Sequence, residues 1–110
     1  MFRNAKETRK VDAGAVIFDD GDVGADMFGI IEGEVELRAK DDVRAVLGPG
    51  DDVGELALID NSPRSLTAVA TSETTLATID RHRFLFLVHE TPTFVIDVMT
   101  VMAERLRNRS

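Results

Sequence analysis

The segment Gly54-Glu55-Leu56-Ala57-Leu58, followed after Ile59-Asp60-Asn61-Ser62 by Pro63-Arg64-Ser65, sets an acceptor-only carboxylate and a permanently charged guanidinium nine positions apart. A carboxylate suits sugar hydroxyls and a guanidinium fork suits phosphate oxygens, so Glu55 and Arg64 can line a pocket for a small phosphorylated molecule. If Gly54 to Leu58 form a helical turn, its leading backbone N–H groups face whatever sits before them and favour an anion. Arg64 then closes the site from the other side. Each charge-assisted hydrogen bond contributes about 1.5–3 kcal/mol net, so an arginine making two of them decides whether a phosphate binds. Pro63 fixes its own φ and restricts Ser62. The same spacing also describes a surface ion pair flanking a turn, which contributes little to stability.

Short strands followed by helices must position these groups. Val16-Ile17-Phe18 runs into the turn sequence Asp19-Asp20-Gly21-Asp22. Phe28 to Ile31 and the alternating Val35 and Leu37 come next, divided by Gly33, and Lys40-Asp41-Asp42 turns the chain back into Val43 to Leu47. Gly48-Pro49-Gly50-Asp51 marks another turn. Leu66 to Ala70 and Thr74 to Ile79 carry the threonine and β-branched content of strands. Turns at this regular spacing predict an antiparallel β-roll or jelly roll, a mainly β fold. The period then changes. Asp80 can cap a helix from Arg81 to about His89, and Thr91-Pro92 starts a second with proline at its first position. Val95, Val98, Met99, Met102 and Leu106 follow helical spacing and predict one apolar stripe. That stripe suits packing on the β-roll, a lid over a ligand, or a dimer seam.

Composition bounds the rest. With 110 residues the chain has the size of one domain, and a formal net charge of −7 disfavours a nucleic-acid backbone as partner. The basic clusters Arg3 to Lys10 and Arg105 to Arg109 read better as a solvated leader and as cations complementing a helix C-terminus. An acidic chain still binds one small anion where local donors set the potential. The absence of cysteine excludes disulfides and thiolate metal sites. The start of the chain lacks the apolar run of a signal peptide and no stretch is long enough to span a bilayer, so a soluble cytoplasmic protein without membrane contact is expected. No metal and no enzymatic activity are expected. His82 and His89 both fall in the helical region, and Asp19-Asp20, Asp41-Asp42 and Asp51-Asp52 lack calcium-loop spacing. Gly48-Pro49-Gly50 lacks the Gly-Lys-Ser/Thr of a P-loop, and no nucleophile has an identifiable base.

The Gly54 to Leu58 segment with Pro63-Arg64-Ser65 resembles the phosphate-binding cassette of the cyclic-nucleotide-binding domain family, which includes catabolite-activator-type bacterial regulators, cyclic-nucleotide-dependent kinases and cyclic-nucleotide-gated channels. Gly21-Asp22-Val23-Gly24-Ala25-Asp26-Met27-Phe28, running on to Ile31-Glu32-Gly33-Glu34-Val35, resembles the family's earlier glycine-aspartate signature. Together the two cover the chain from about Val11 to Leu106. The resemblance implies one domain over residues 1–110, with a β-roll at about 11–80, a cassette at 53–66 and C-terminal helices at 81–110. It implies that Glu55 accepts from the ribose 2′-hydroxyl, that Arg64 pairs with the cyclic phosphate, and that Gly54, Ala57 and Ser65 donate from backbone or hydroxyl, with Leu56 and Pro63 in the same ligand-binding set. Val53 stands where the family often has an aromatic, and Leu66 where it usually has a small residue.

By the same resemblance the last helix is the moving part, with base contacts or a lid falling near Arg109 and Ser110. No DNA-reading domain follows in this sequence, so a stand-alone sensor is expected, one that acts through a homodimer or an effector protein, with no cofactor beyond its ligand, cAMP or cGMP. Ser65 after the arginine leans towards cAMP over cGMP. The alternative is an interaction or scaffold domain of the same fold, with weak or no ligand affinity, that dimerises through the apolar C-terminal helix.

Overall fold

The structure, a computed structural model, describes residues 7–24, 26–40, 42–54, 63–90 and 92–109, with side chains of the last helix described at 93–100, 102 and 103. Among the described residues eight strands come first: β1 (Thr8–Val11), β2 (Val16–Phe18), β3 (Met27–Glu32), β4 (Val35–Ala39), β5 (Asp42–Leu47), β6 (Asp52–Val53), β7 (Thr67–Ala70) and β8 (Thr74–Ile79). Two helices follow, α1 (Arg81–Glu90) and α2 (Pro92–Arg109). The strands form two four-stranded antiparallel sheets, ordered β1-β8-β3-β6 and β2-β7-β4-β5. This is the expected β-roll.

Alternation along the strands explains the layers. In β3, Phe28 and Ile30 face the other sheet and join Ile17, Phe18, Val35, Leu37, Val53, Ala68, Ala70 and Leu76 in the roll's core. Met27 and Ile31 point the opposite way, where they meet Ala77 and Ile79 of β8 beneath the helices. The β1-β8-β3-β6 sheet is thus covered on both faces, by the second sheet and by α1 and α2. A tight β3–β4 connection needs Gly33, whose φ is +98°, and a Cβ there would run into Thr74 Oγ1 and lie 2.6 Å from the Glu73 carbonyl oxygen.

The helices start where the sequence places them. Asp80 Oδ1 accepts from the Arg83 backbone N–H at 2.7 Å, and the Asp80 carbonyl accepts from Phe84 N–H at 2.8 Å, which makes Asp80 the N-cap of α1. Among the described side chains of α2, Phe94 and Val98 are buried, with Met102 partly buried in the same cluster; Phe94 also meets Phe84 of α1 edge-on, ring centroids 5.6 Å apart. The predicted stripe is therefore split. Val98 and Met102 pack on the sheet, whereas Met99 is 62% exposed and Ile96 63% exposed on the outward side.

Two elements depart from expectation. Thr8 to Val11 form β1, paired with β8 through Thr8↔Ala77 to Val11↔Thr74, although Lys10 and the residues before it read as a solvated leader. Thr8, Arg9 and Lys10 are exposed and only Val11 is buried, so this strand is held by its backbone and carries no alternation to detect. Asp52–Val53 extend the turn after Gly50 into β6, with Phe28↔Val53 in register.

Candidate functional site

The two glycine-containing segments converge on one side chain. Arg64 lies just before β7, and its backbone is tied to the Gly21 turn on both sides: Arg64 N–H donates to the Asp22 carbonyl at 2.8 Å, and Gly21 N–H donates to the Arg64 carbonyl at 2.7 Å. That turn is itself held by Asp19 and Asp22. Asp22 Oδ2 accepts from Asp19 N–H at 2.9 Å, and Thr67 Oγ1 donates to Asp19 Oδ1 at 2.6 Å. The acidic residues here therefore serve turn geometry. Among the described residues no group of three or more His, Cys, Asp or Glu is placed to hold a metal.

From this anchored backbone the guanidinium reaches across to both motifs. Arg64 NH1 donates to the Gly54 carbonyl at 3.0 Å and NH2 donates to the Asp26 carbonyl at 2.6 Å. Both acceptors are neutral carbonyls that orient the fork. The Arg64 Cζ lies 4.3 Å from the centroid of the Phe18 ring at the end of β2. Arg64 is only 7% exposed. In such surroundings a charge-assisted bond is stronger than it would be at the surface.

Two glycines leave room where the fork passes. A Cβ on Gly24 would stand 3.0 Å from Arg64 NH2, and one on Gly54 would stand 2.6 Å from NH1. Gly54 also has φ +81°, a conformation that a residue with a Cβ adopts only at a cost.

Of the residues singled out in the sequence, the structure brings Gly54 and Arg64 into direct contact, with Pro63 and Ser65 exposed on either side of Arg64. Glu55, Leu56, Ala57 and Ser110 lie outside the described residues, and Arg109 ends α2 with its side chain likewise outside them. His82 and His89 are exposed on α1, His89 with its Nε2 4.0 Å from Glu90 Oε1. The two departures from the family pattern face inward. Val53 is fully buried in the roll's core and Leu66 packs against it. Three participants carried no assigned role in the sequence reading: Gly24, the Asp26 carbonyl and Phe18. Gly24 and Asp26 sit inside the glycine-aspartate signature, which marks their place but not their function; nothing in the spacing of Phe18 distinguishes it from an ordinary strand residue.

The sequence matches the cyclic nucleotide-binding domain family over residues 8–91. It is 33% identical over 99 residues to the cyclic AMP receptor protein of Thermus thermophilus, covering 86% of this chain and 46% of that protein. A cyclic nucleotide-gated potassium channel of Rhizobium etli is 39% identical over 101 residues, covering 92% of this chain and 28% of the channel. The crystal structure of the Thermus thermophilus catabolite activator protein superposes with a TM-score of 0.81 at 31% identity, over 94% of this chain and 51% of that one. The chain thus spans about half or less of each of these relatives, and the family match over residues 8–91 contains both converging segments. With that match over residues 8–91, on a two-sheet roll of the same fold as the catabolite activator protein, this chain belongs to the cyclic nucleotide-binding domain family of regulatory modules.

Proposed function

We propose that this chain is a sensor module that binds a cyclic nucleotide, cAMP in preference to cGMP, and binds it without chemical turnover. The observation that carries the reading is the setting of Arg64: a buried guanidinium, oriented by the carbonyls of Gly54 and Asp26 at 3.0 and 2.6 Å, at the junction of the two signature segments. Its role is to pair with the cyclic phosphate. Glu55 accepts from the ribose 2′-hydroxyl, while Gly54, Ala57 and Ser65 donate to the ligand and Leu56 and Pro63 shape its edge. Ser65 and the name of the Thermus thermophilus receptor both favour cAMP.

Occupation of the site repositions α2 in proportion to the ligand's preference for one position of that helix. Arg109 and Ser110, at its end, contribute base contacts or a lid. The signal then passes to an effector protein or to a second copy, in the cytoplasm, with no nucleic acid or membrane as direct partner. Calorimetric titration with cAMP and cGMP tests the reading. Saturable binding, tighter for cAMP and lost in Arg64→Ala, is expected; no binding by well-folded protein at millimolar nucleotide would overturn it.

A second reading rests on a different observation. Ile96 and Met99 on α2 stand 63% and 62% exposed, and Leu85 and Phe86 on α1 stand 56% and 48% exposed. Such residues suit an interaction domain that uses its helices for dimerisation without ligand. A stable dimer in the absence of nucleotide, dissociated by charged residues at Ile96 and Met99, is what that reading requires. Val98 is unsuitable for such a test, because it is buried against the sheet and a charge there would disrupt the core.

A further inference from the structure

We infer that Phe18 is a positioning residue for the phosphate-binding arginine, an assignment that rests on the reading of Arg64 as the phosphate ligand. The Arg64 guanidinium carbon lies 4.3 Å from the centroid of the Phe18 ring, within the range in which the negative face of an aromatic ring attracts a cation. Two carbonyl acceptors, Gly54 O and Asp26 O, hold the outer nitrogens of the fork. Those bonds fix the outer edge of the fork, and the ring bears on its central carbon.

Phe18 is itself well fixed. It closes β2, is 9% exposed, and stacks on Phe28 of β3 with ring centroids 6.4 Å apart and planes inclined by 25°. Arg64 therefore rests on a pair of aromatic rings that spans both sheets, and the absence of a Cβ at Gly24 leaves the space its NH2 occupies. A delocalised, weakly hydrated guanidinium suits such a site better than a strongly hydrated lysine ammonium. In a chain without tyrosine or tryptophan, this phenylalanine does for the phosphate ligand what an aromatic more often does for a base.

The test compares Phe18→Leu, which keeps an apolar side chain but removes the ring, with Phe18→Tyr, which keeps the ring. Thermal unfolding first establishes that both variants are folded. In the ligand-free protein, the guanidinium proton resonances of Arg64 should carry an upfield ring-current shift that Phe18→Leu abolishes and Phe18→Tyr retains. Calorimetric titration with cAMP should then show affinity reduced roughly tenfold in Phe18→Leu and restored in Phe18→Tyr, the scale expected for a largely desolvated cation–ring contact. Parent protein that binds cAMP, with Phe18→Leu binding as tightly or with both variants weakened equally, would overturn the assignment while leaving the cyclic-nucleotide reading intact. Parent protein that binds no nucleotide would overturn both. An unshifted Arg64 resonance in the parent would overturn the geometry on which the assignment stands.

Discussion

Arg64 serves the fold and the site through the same atoms. Its guanidinium joins the Gly54 and Asp26 segments by two hydrogen bonds, and that junction is where a phosphate is proposed to sit. Removing it costs ligand binding about 2–4 kcal/mol, from lost charge-assisted bonds together with a phosphate left unpaired. Gly24→Ala separates ligand geometry from fold. Its Cβ would stand 3.0 Å from Arg64 NH2, so the fork must shift by a few tenths of an ångström while its backbone stays anchored. We predict roughly tenfold weaker nucleotide binding, about 1.4 kcal/mol, measured by calorimetry, with a change in unfolding free energy below about 1 kcal/mol in urea titration. At this scale the sequence is informative about charged residues and silent about their supports. Arg64 and Gly54 are legible because their chemistry is specific to anions and turns. Phe18 is hidden because an aromatic at the end of a strand is ordinary core material until the arginine is seen above it.

Strands and helices differ in how openly the sequence announces them. β4 buries Val35 and Leu37 and leaves Glu36 and Arg38 less buried, a period that can be read directly, whereas β3 and β8, covered on both faces, show only their apolar and threonine content. β1 exposes three of its four side chains, so only its backbone pairing with β8 reveals it. The start of α1 is legible because a carboxylate cap depends on one residue, Asp80, at one position. The apolar stripe of α2 is only half legible, because periodicity gives the spacing of a face and not the direction in which it turns. Phe94, absent from the predicted stripe, is the anchor at 1% exposure, and Ile96 two positions on is 63% exposed. Phe94→Ala should therefore destabilise the protein by about 3–5 kcal/mol through the cavity it opens between α1, α2 and the sheet. Ile96→Ala should change stability by no more than about 0.5 kcal/mol, both values coming from urea unfolding. Equal effects of the two substitutions would mean that α2 is rotated from the orientation described here.

In the proposed sensor, one ligand couples two layers of the molecule. The signature segments meet at the edge of the roll, and the helices that would answer them cover the outer face of the β1-β8-β3-β6 sheet through Met27, Ala77 and Ile79. Fold class was legible from turn spacing and the later change of period, because both are properties of the whole pattern and survive errors at single strands. Ligand identity is less legible, because the residues proposed to touch the ribose and the base contribute too few distinctive chemistries in a chain whose aromatics are all phenylalanine. A ligand that binds only the folded state at a hundred times its Kd stabilises that state by about 2.7 kcal/mol, which for a domain of this size raises Tm by roughly 10 °C. We expect that shift with cAMP, a smaller one with cGMP at equal concentration, and none in Arg64→Ala. The most direct measurement of the central claim is calorimetric titration of cAMP into the parent protein and into Arg64→Ala side by side. Saturable binding to the parent that disappears in the variant is the predicted result, and equal binding by two folded proteins, or none by the parent at millimolar cAMP, would contradict it.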